Sequence, residues 1–212
     1  MDASYWADVS TKALSVVRRW EAEHERSNAV FAALVEFHSR LQLFDTTTAP
    51  GALGALVDRP DTLPLLHAKH VRGVENLMVA LHEGIVRRTT LQDELSRVHA
   101  SVWERHTKCR SNQSEPMQMA QPSWGTAGAG RGLDSQRVLL PPALQLIEWV
   151  EELAQMFGAE LQLKSQMVEA LSLDMLLEHL IDAQRTWALE PNVQPDAIER
   201  WDMLAASLNV PE

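Results

Sequence analysis

The 212-residue chain has one cysteine, Cys109, so no internal disulfide can form, which fits a reducing compartment. It has one tyrosine and four phenylalanines beside seven tryptophans. β-branched residues are sparse too, so strand-forming material is scarce. Nowhere do some 18 apolar residues run uninterrupted, the rough minimum for a membrane span. The opening Met1-Asp2-Ala3-Ser4-Tyr5-Trp6 lacks a basic-then-apolar signal pattern, which leaves the cytosol or nucleus as the expected compartment. Basic charge is short: 19 Lys and Arg face 29 Asp and Glu, a formal net charge of −10. That argues against a surface built to neutralise phosphates, though not against membership of a complex that sits on nucleic acid. No Gly-x-x-x-x-Gly-Lys or Gly-x-Gly-x-x-Gly occurs. The nearest run, Gly125 to Gly132, follows no strand and opens no helix, and reads as linker.

What is present is helical periodicity in a composition of ordinary globular kind, 45% apolar and 23% charged. Trp6, Val9, Ala13, Val16, Trp20, Phe31, Leu34 and Leu41 recur at steps of three and four, one apolar stripe from about Ser4 to Phe44. The stripe weakens over Glu21 to Asn28, a solvated stretch or a break between two helices. Thr46 to Gly51 stops it. From about Leu65 to Lys108 a second stripe runs His70, Val74, Leu77, Leu81, Ile85, Leu91, Leu95, Val98 and Val102 without a proline. Arg88 takes a stripe position, as a polar layer or a snorkelling side chain. Residues 111–140 change character, with Ser111 to Pro116 and Trp124 to Gly132 of linker composition. This segment is expected to be mobile. After Pro141-Pro142 a third helix carries Ile147, Val150, Phe157, Leu161, Val168 and Leu171. Ser172 is the expected N-cap of a short fourth with Leu176, Leu177, Leu180, Ile181 and Trp187. Pro195 suits the first turn of a last helix with Ile198, Trp201 and Leu204. The reading is all-α: an elongated antiparallel helical bundle with long, coiled-coil-like helices. Residues 1–110 form a helical hairpin, 111–140 a flexible linker, and 141–212 the helices that complete the bundle.

No catalytic, cofactor-binding or metal-binding residues emerge, and the chain is not read as an enzyme. His67 and His70 lie on adjacent turns without a third ligand. Glu21-Ala22-Glu23-His24 is a single Glu-x-x-His, where di-iron bundles need two with two further glutamates. Cys109 sits beside Lys108 and Arg110, which lower a thiol pKa, but no nucleophile turn surrounds it. The tryptophans suit cores, and also interfaces, where Trp concentrates binding energy. Trp6, Trp20, Trp149, Trp187 and Trp201 are therefore the candidate partner-binding residues. Trp187 is expected to pack on the third helix near Leu161 or Val168, while Trp201 either joins the core or offers its ring to a partner. Asp134-Ser135-Gln136 marks Ser135 as a candidate checkpoint-kinase phosphosite. Lys12 to Val16 fits a cyclin-docking pattern but lies inside a helix, where an extended peptide is required. A bundle this elongated is also expected to leave some apolar stripe uncovered for homo- or heterodimer formation.

Two stretches carry a resemblance. Met156-Phe157-Gly158-Ala159-Glu160-Leu161-Gln162-Leu163-Lys164, then Trp187-Ala188-Leu189-Glu190-Pro191-Asn192-Val193, resemble the cyclin-dependent kinase 2-interacting protein family, as do Trp6 and Trp20. About half of the chain is covered. Ile147 to Glu152 and the Arg59-Pro60-Asp61 entry to the long helix resemble a sibling family, the small ribosome-maturation factor that works with the same ATPase. The resemblance implies a non-catalytic adaptor subunit of a nuclear AAA-type ATPase complex, also found in cytoplasm. It would serve DNA replication, checkpoint signalling and large-ribosomal-subunit maturation. The implied partners are the sibling helical subunit, the ATPase and cell-cycle kinases, with no direct nucleic acid and no membrane. The alternative is a structural coiled-coil subunit of a spindle- or kinetochore-type assembly.

Overall fold

The computed structural model describes residues 3–46, 62–112 and 143–207 of the chain. It contains α1 (Ala3–Thr46), α2 (Thr62–Asn112), α3 (Ala143–Ala170), α4 (Leu177–Leu189) and α5 (Pro195–Ser207), with no strand among the described residues. The helices run up and down in turn. α1 lies antiparallel to α2, as the pairs Tyr5–Ser101, Arg19–Glu94 and Glu23–Arg87 record. α3 returns along α2, where Gln92 Nε2 donates to the Ala154 carbonyl at 2.8 Å. α4 and α5 together form a fourth column, split in two and laid against α1. This is an antiparallel four-helix bundle whose last helix is broken in the middle.

The periodic residues of α1 are all buried, Trp6, Val9, Ala13, Val16, Trp20, Phe31, Leu34 and Leu41, and Leu14 and Val17 join them in the core. α1 does not break over Glu21 to Asn28; it continues for 44 residues. The stripe weakens there because the core itself turns polar, with Glu23 and Ser27 pointing inward and held by arginines of α2. Arg88 is wholly enclosed, so it is a polar layer and does not snorkel. Apolar clusters lie on either side of it, one around Trp20, Phe157 and Trp201, the other around Phe31, Val168 and Trp187.

Ser172 is not the N-cap of α4, which begins five residues later. Residues 171–176 form a turn in which the Ser172 carbonyl accepts a hydrogen bond from the Met175 N–H. The turn is tied down by His38 of α1, whose Nε2 lies 3.2 Å from the Leu173 carbonyl. Leu176, extended and without a side-chain cap, precedes the helix and is exposed. Glu190 ends α4 in the left-handed region at φ 43°, and Pro191 follows where a helix cannot continue. Pro195 opens α5, whose first N–H groups reach the Gln194 carbonyl. Close approach of α1 and α2 requires Gly73: a Cβ there would meet the Phe37 ring at 2.7 Å.

The expected linker of 111–140 starts too early, since α2 runs on to Asn112; the rest of it, with Ser135, lies outside the described residues, as does the Arg59-Pro60-Asp61 entry. Among the described residues no helix is long and apolar enough to cross a membrane.

A buried charged centre and the tryptophans around it

Each column of the bundle sends a charged or titratable side chain to one point. Glu160 and Lys164, one helical turn apart on α3, are fully enclosed, as is Arg88 of α2. His24 comes from α1 and Glu190 from the turn between α4 and α5. Lys164 Nζ donates to Glu190 Oε1 at 2.5 Å and lies 3.4 Å from Glu160 Oε1. Arg88 Nη2 stands 3.9 Å from Glu190 Oε1. The second oxygen of Glu160 accepts the backbone N–H and the side-chain amide of Asn192, both at 3.1 Å. Two cations and two carboxylates therefore balance, the condition under which buried charge is tolerated.

His24 Nδ1 occupies the hinge of this set, 2.9 Å from Glu190 Oε1 and 3.2 Å from Lys164 Nζ. It donates to the carboxylate when Nδ1 carries a proton and accepts from the ammonium when it does not. Burial alone would push the Glu190 carboxyl up. The His24 hydrogen bond, with the charge and hydrogen bond of Lys164, more than offsets that and holds it down at about 2. Burial, aided by Arg88, pushes Lys164 below its usual range against the pull of Glu190 and Glu160. Burial likewise lowers Arg88.

Arg88 lies between two indoles, its guanidinium carbon 5.3 Å from the Trp20 ring and 5.3 Å from the Trp187 ring. Its Nη2 donates to Ser27 Oγ at 2.9 Å, and the same oxygen accepts Trp187 Nε1–H at 3.3 Å. Nε and Nη1 of Arg88 find no oxygen or nitrogen acceptor. The negative faces of the two indoles partner the cation in their place. Lys164 adds a third cation–ring contact, 5.0 Å from Trp187. Beside this centre Glu23, 5% exposed, takes Arg87 in a bidentate pair at 2.9 and 3.0 Å and Arg26 at 3.0 Å.

Of the five tryptophans read as partner-binding, four need correction, because they are buried. Trp20 stacks on Phe157 with centroids 4.2 Å apart and planes at 4°. Trp187 packs against Phe31 of α1 at 5.3 Å and shares the Val168 cluster without Leu161. Trp201 joins the core and Trp6 lies within it. These four rings are enclosed by the chain itself; for Trp187 and Trp201 the reason is that α4 and α5 are short, and tryptophan supplies the largest apolar area to fasten them. Trp149, edge-on to Trp201 at 6.1 Å and covered by Arg200, keeps a partly exposed edge. Among the described residues Trp103 is the exposed tryptophan, at 52%, on a position outside the α2 stripe.

The residues that matter most here, Glu160, Lys164 and Glu190, enter the sequence reading only as parts of a motif. The signal is nonetheless present: Lys164 is the one basic residue of α3, on the face between apolar Leu161 and Val168 and one turn after Glu160. The histidines do other work; His70 Nδ1 contacts the Leu66 carbonyl at 2.9 Å, and its ring packs against Phe37. Among the described residues no group of three or more His, Cys, Asp or Glu is placed to hold a metal.

A family model described as "CA109-like: Ribosome biogenesis protein C1orf109-like" matches residues 4–208, so it takes in all five helices. No curated protein matches the chain. The match agrees with the ribosome-maturation side of the resemblance and does not extend to the cyclin-dependent kinase 2-interacting protein family. The chain belongs to the C1orf109-like family of ribosome biogenesis proteins.

Proposed function

We propose that the protein serves ribosome maturation as a non-catalytic adaptor, a helical subunit that works beside an AAA-type ATPase and a sibling helical subunit in the nucleus. The observation that carries this reading is the family match over residues 4–208. The buried centre supports it from the chemical side. Its charged groups are consumed in joining four columns, and the enclosed ones, Arg88, Glu160 and Lys164, are closed to a substrate. A rigid scaffold of this kind suits presenting surfaces to other proteins. Links to replication and checkpoint kinases came with the cyclin-dependent kinase 2-interacting resemblance and enter only through a shared ATPase. The coiled-coil alternative loses support because α2 spends its stripe on α1 and α3 of its own chain.

The test is affinity purification of the tagged chain from nuclear extract with mass spectrometry, alongside depletion of the protein. Co-purification of an AAA ATPase, with large-subunit precursors accumulating on depletion, is the expected result. Recovery of cytoskeletal assemblies instead, with normal precursor processing, would overturn the reading.

A further inference from the structure

The inner side of the α1–α2 pair is covered by α3, α4 and α5, but its outer seam is open. Two hollows lie end to end along that seam, of about 400 Å³ and 320 Å³. On α1 their lining residues include the heptad-like ridge 5, 8, 12, 15, 19, 22, 26, with Val9, Val16 and Glu23 beside it. On α2 they include 87, 90, 94, 97 and 101, with Leu91 and Val98 beside them. The Arg19–Glu94 ion pair, at 2.6 Å, forms the low partition between them. From Tyr5 to Arg26 the groove runs about 32 Å, taking 1.5 Å per residue. In the longer hollow, buried Val9 and Val16 and half-buried Val98 lie beside Ser15 and Ser101, so the lining is small and partly apolar.

Charge distinguishes this groove from the rest of the molecule. Lys12, Arg19, Arg26, Arg87 and Arg97 line it against Asp8, Glu23 and Glu94, five cations to three carboxylates. Lys12 pairs with Asp8 at 2.7 Å, Glu23 is shared between Arg26 and Arg87, and Arg87 also meets Glu83 at 3.8 Å, so the surplus rests on Arg97 and on the half-served Arg26. At the Tyr5 end Arg105 lies over the ring at 4.0 Å and adds another cation. A groove with surplus positive charge on a chain of net charge −10 calls for an anionic occupant. The occupant is helical, because helix surfaces offer no free backbone edge to hold an extended strand, whereas a helix can seat its ridge in a two-helix groove.

We propose that the outer α1–α2 groove, from Tyr5 to Arg26 and from Arg87 to Ser101, is the docking site for an acidic amphipathic helix of a partner protein. This deepens the adaptor reading and rests on it. The helix would set small apolar residues on Val9, Val16 and Val98 and carry Glu or Asp on its flanks toward Lys12, Arg97 and Arg26.

The probe is a synthetic helical peptide of about 20 residues with an Ala/Leu stripe flanked by glutamates, read by fluorescence anisotropy against the full chain. A peptide with lysines in place of the glutamates is the control. The glutamate peptide is expected to bind, and to weaken at least about tenfold with Ser15→Trp, which fills the groove from an exposed position. The pair Lys12→Glu and Arg97→Glu should weaken it similarly and turn preference toward the lysine peptide. Circular dichroism melts check the variants; should Ser15→Trp fail to fold, the charge-reversed pair carries the test. Equal binding of both peptides, or binding unchanged by either variant, overturns the proposal. Self-association by sedimentation that Ser15→Trp abolishes overturns it too, because the occupant is then a second copy offering its acidic α3–α5 side. Affinity purification with the same variants separates the two readings. If wild type and variants capture the ATPase alike, the adaptor stands and the groove falls. If wild type captures none, the adaptor falls while the peptide result still judges the groove.

Discussion

Glu190 shows how one side chain can join distant parts of a chain. Its backbone ends α4 in the left-handed region, and its carboxylate gathers His24 from α1 and Lys164 from α3. Its pKa of about 2 lies below the ordinary 4.5, so the folded state favours the ionised form. That contribution is fully present above about pH 4.5 and is lost as pH falls toward 2. On the order of 3 kcal/mol is involved, since every tenfold change in proton affinity is worth about 1.4 kcal/mol. Melting wild type and Glu190→Gln across this range should give a gap at pH 6–7 that closes by about pH 2; a pH-independent gap would contradict the assignment. Lys164→Met should cost about 3–5 kcal/mol in urea unfolding, because Glu160 and Glu190 stay buried with half of their compensation gone. Adding Glu160→Leu to that variant should recover part of the loss, a coupling a double-mutant cycle would read.

At the scale of elements, the two short helices hang on one tryptophan each. Trp187→Ala and Trp201→Ala should each cost about 3–5 kcal/mol, as buried aromatic deletions do. A surface role for Trp201 predicts a small loss instead, so a melt near wild type would restore it. Gly73→Ala trades a better helix former, worth about 1 kcal/mol, for a methyl pressed against Phe37. A net fall in melting temperature is expected, and a rise would mean that the ring swings aside. Much of this is legible in the sequence: every residue the α1 stripe names is buried, though Leu14 and Val17 are too, and Pro195 marks the start of α5. The N-cap of α4 is not, because Ser172 has the right side chain while the tie from His38 to Leu173 is invisible in one dimension. The charged centre is hidden for the same reason. Only its Glu160–Lys164 pair is local, and its other members lie between 24 and 190 in the chain.

Across the whole molecule, charge is divided unevenly. Residues 143–207 hold twelve acidic and three basic residues, net −9, whereas 3–46 and 62–112 together hold eleven acidic and thirteen basic, net +2. The tryptophans illustrate the limit of composition at this scale: their excess points to interfaces, yet four of the five candidates lie inside and Trp103 outside. The split fourth column also bears on how the protein is made. Synthesis delivers α1, α2 and α3 well before Glu190, so Arg88 and Lys164 enter the nascent bundle with their main carboxylate still missing. Two cations with only Glu160 to balance them keep water at the centre of any three-helix intermediate. Final packing then waits for the last fifth of the chain, and a version stopped after Leu171 should show helical circular dichroism with a broad, weakly cooperative melt. Until the ribosome releases its C-terminus, this protein is a helical chain with a wet middle.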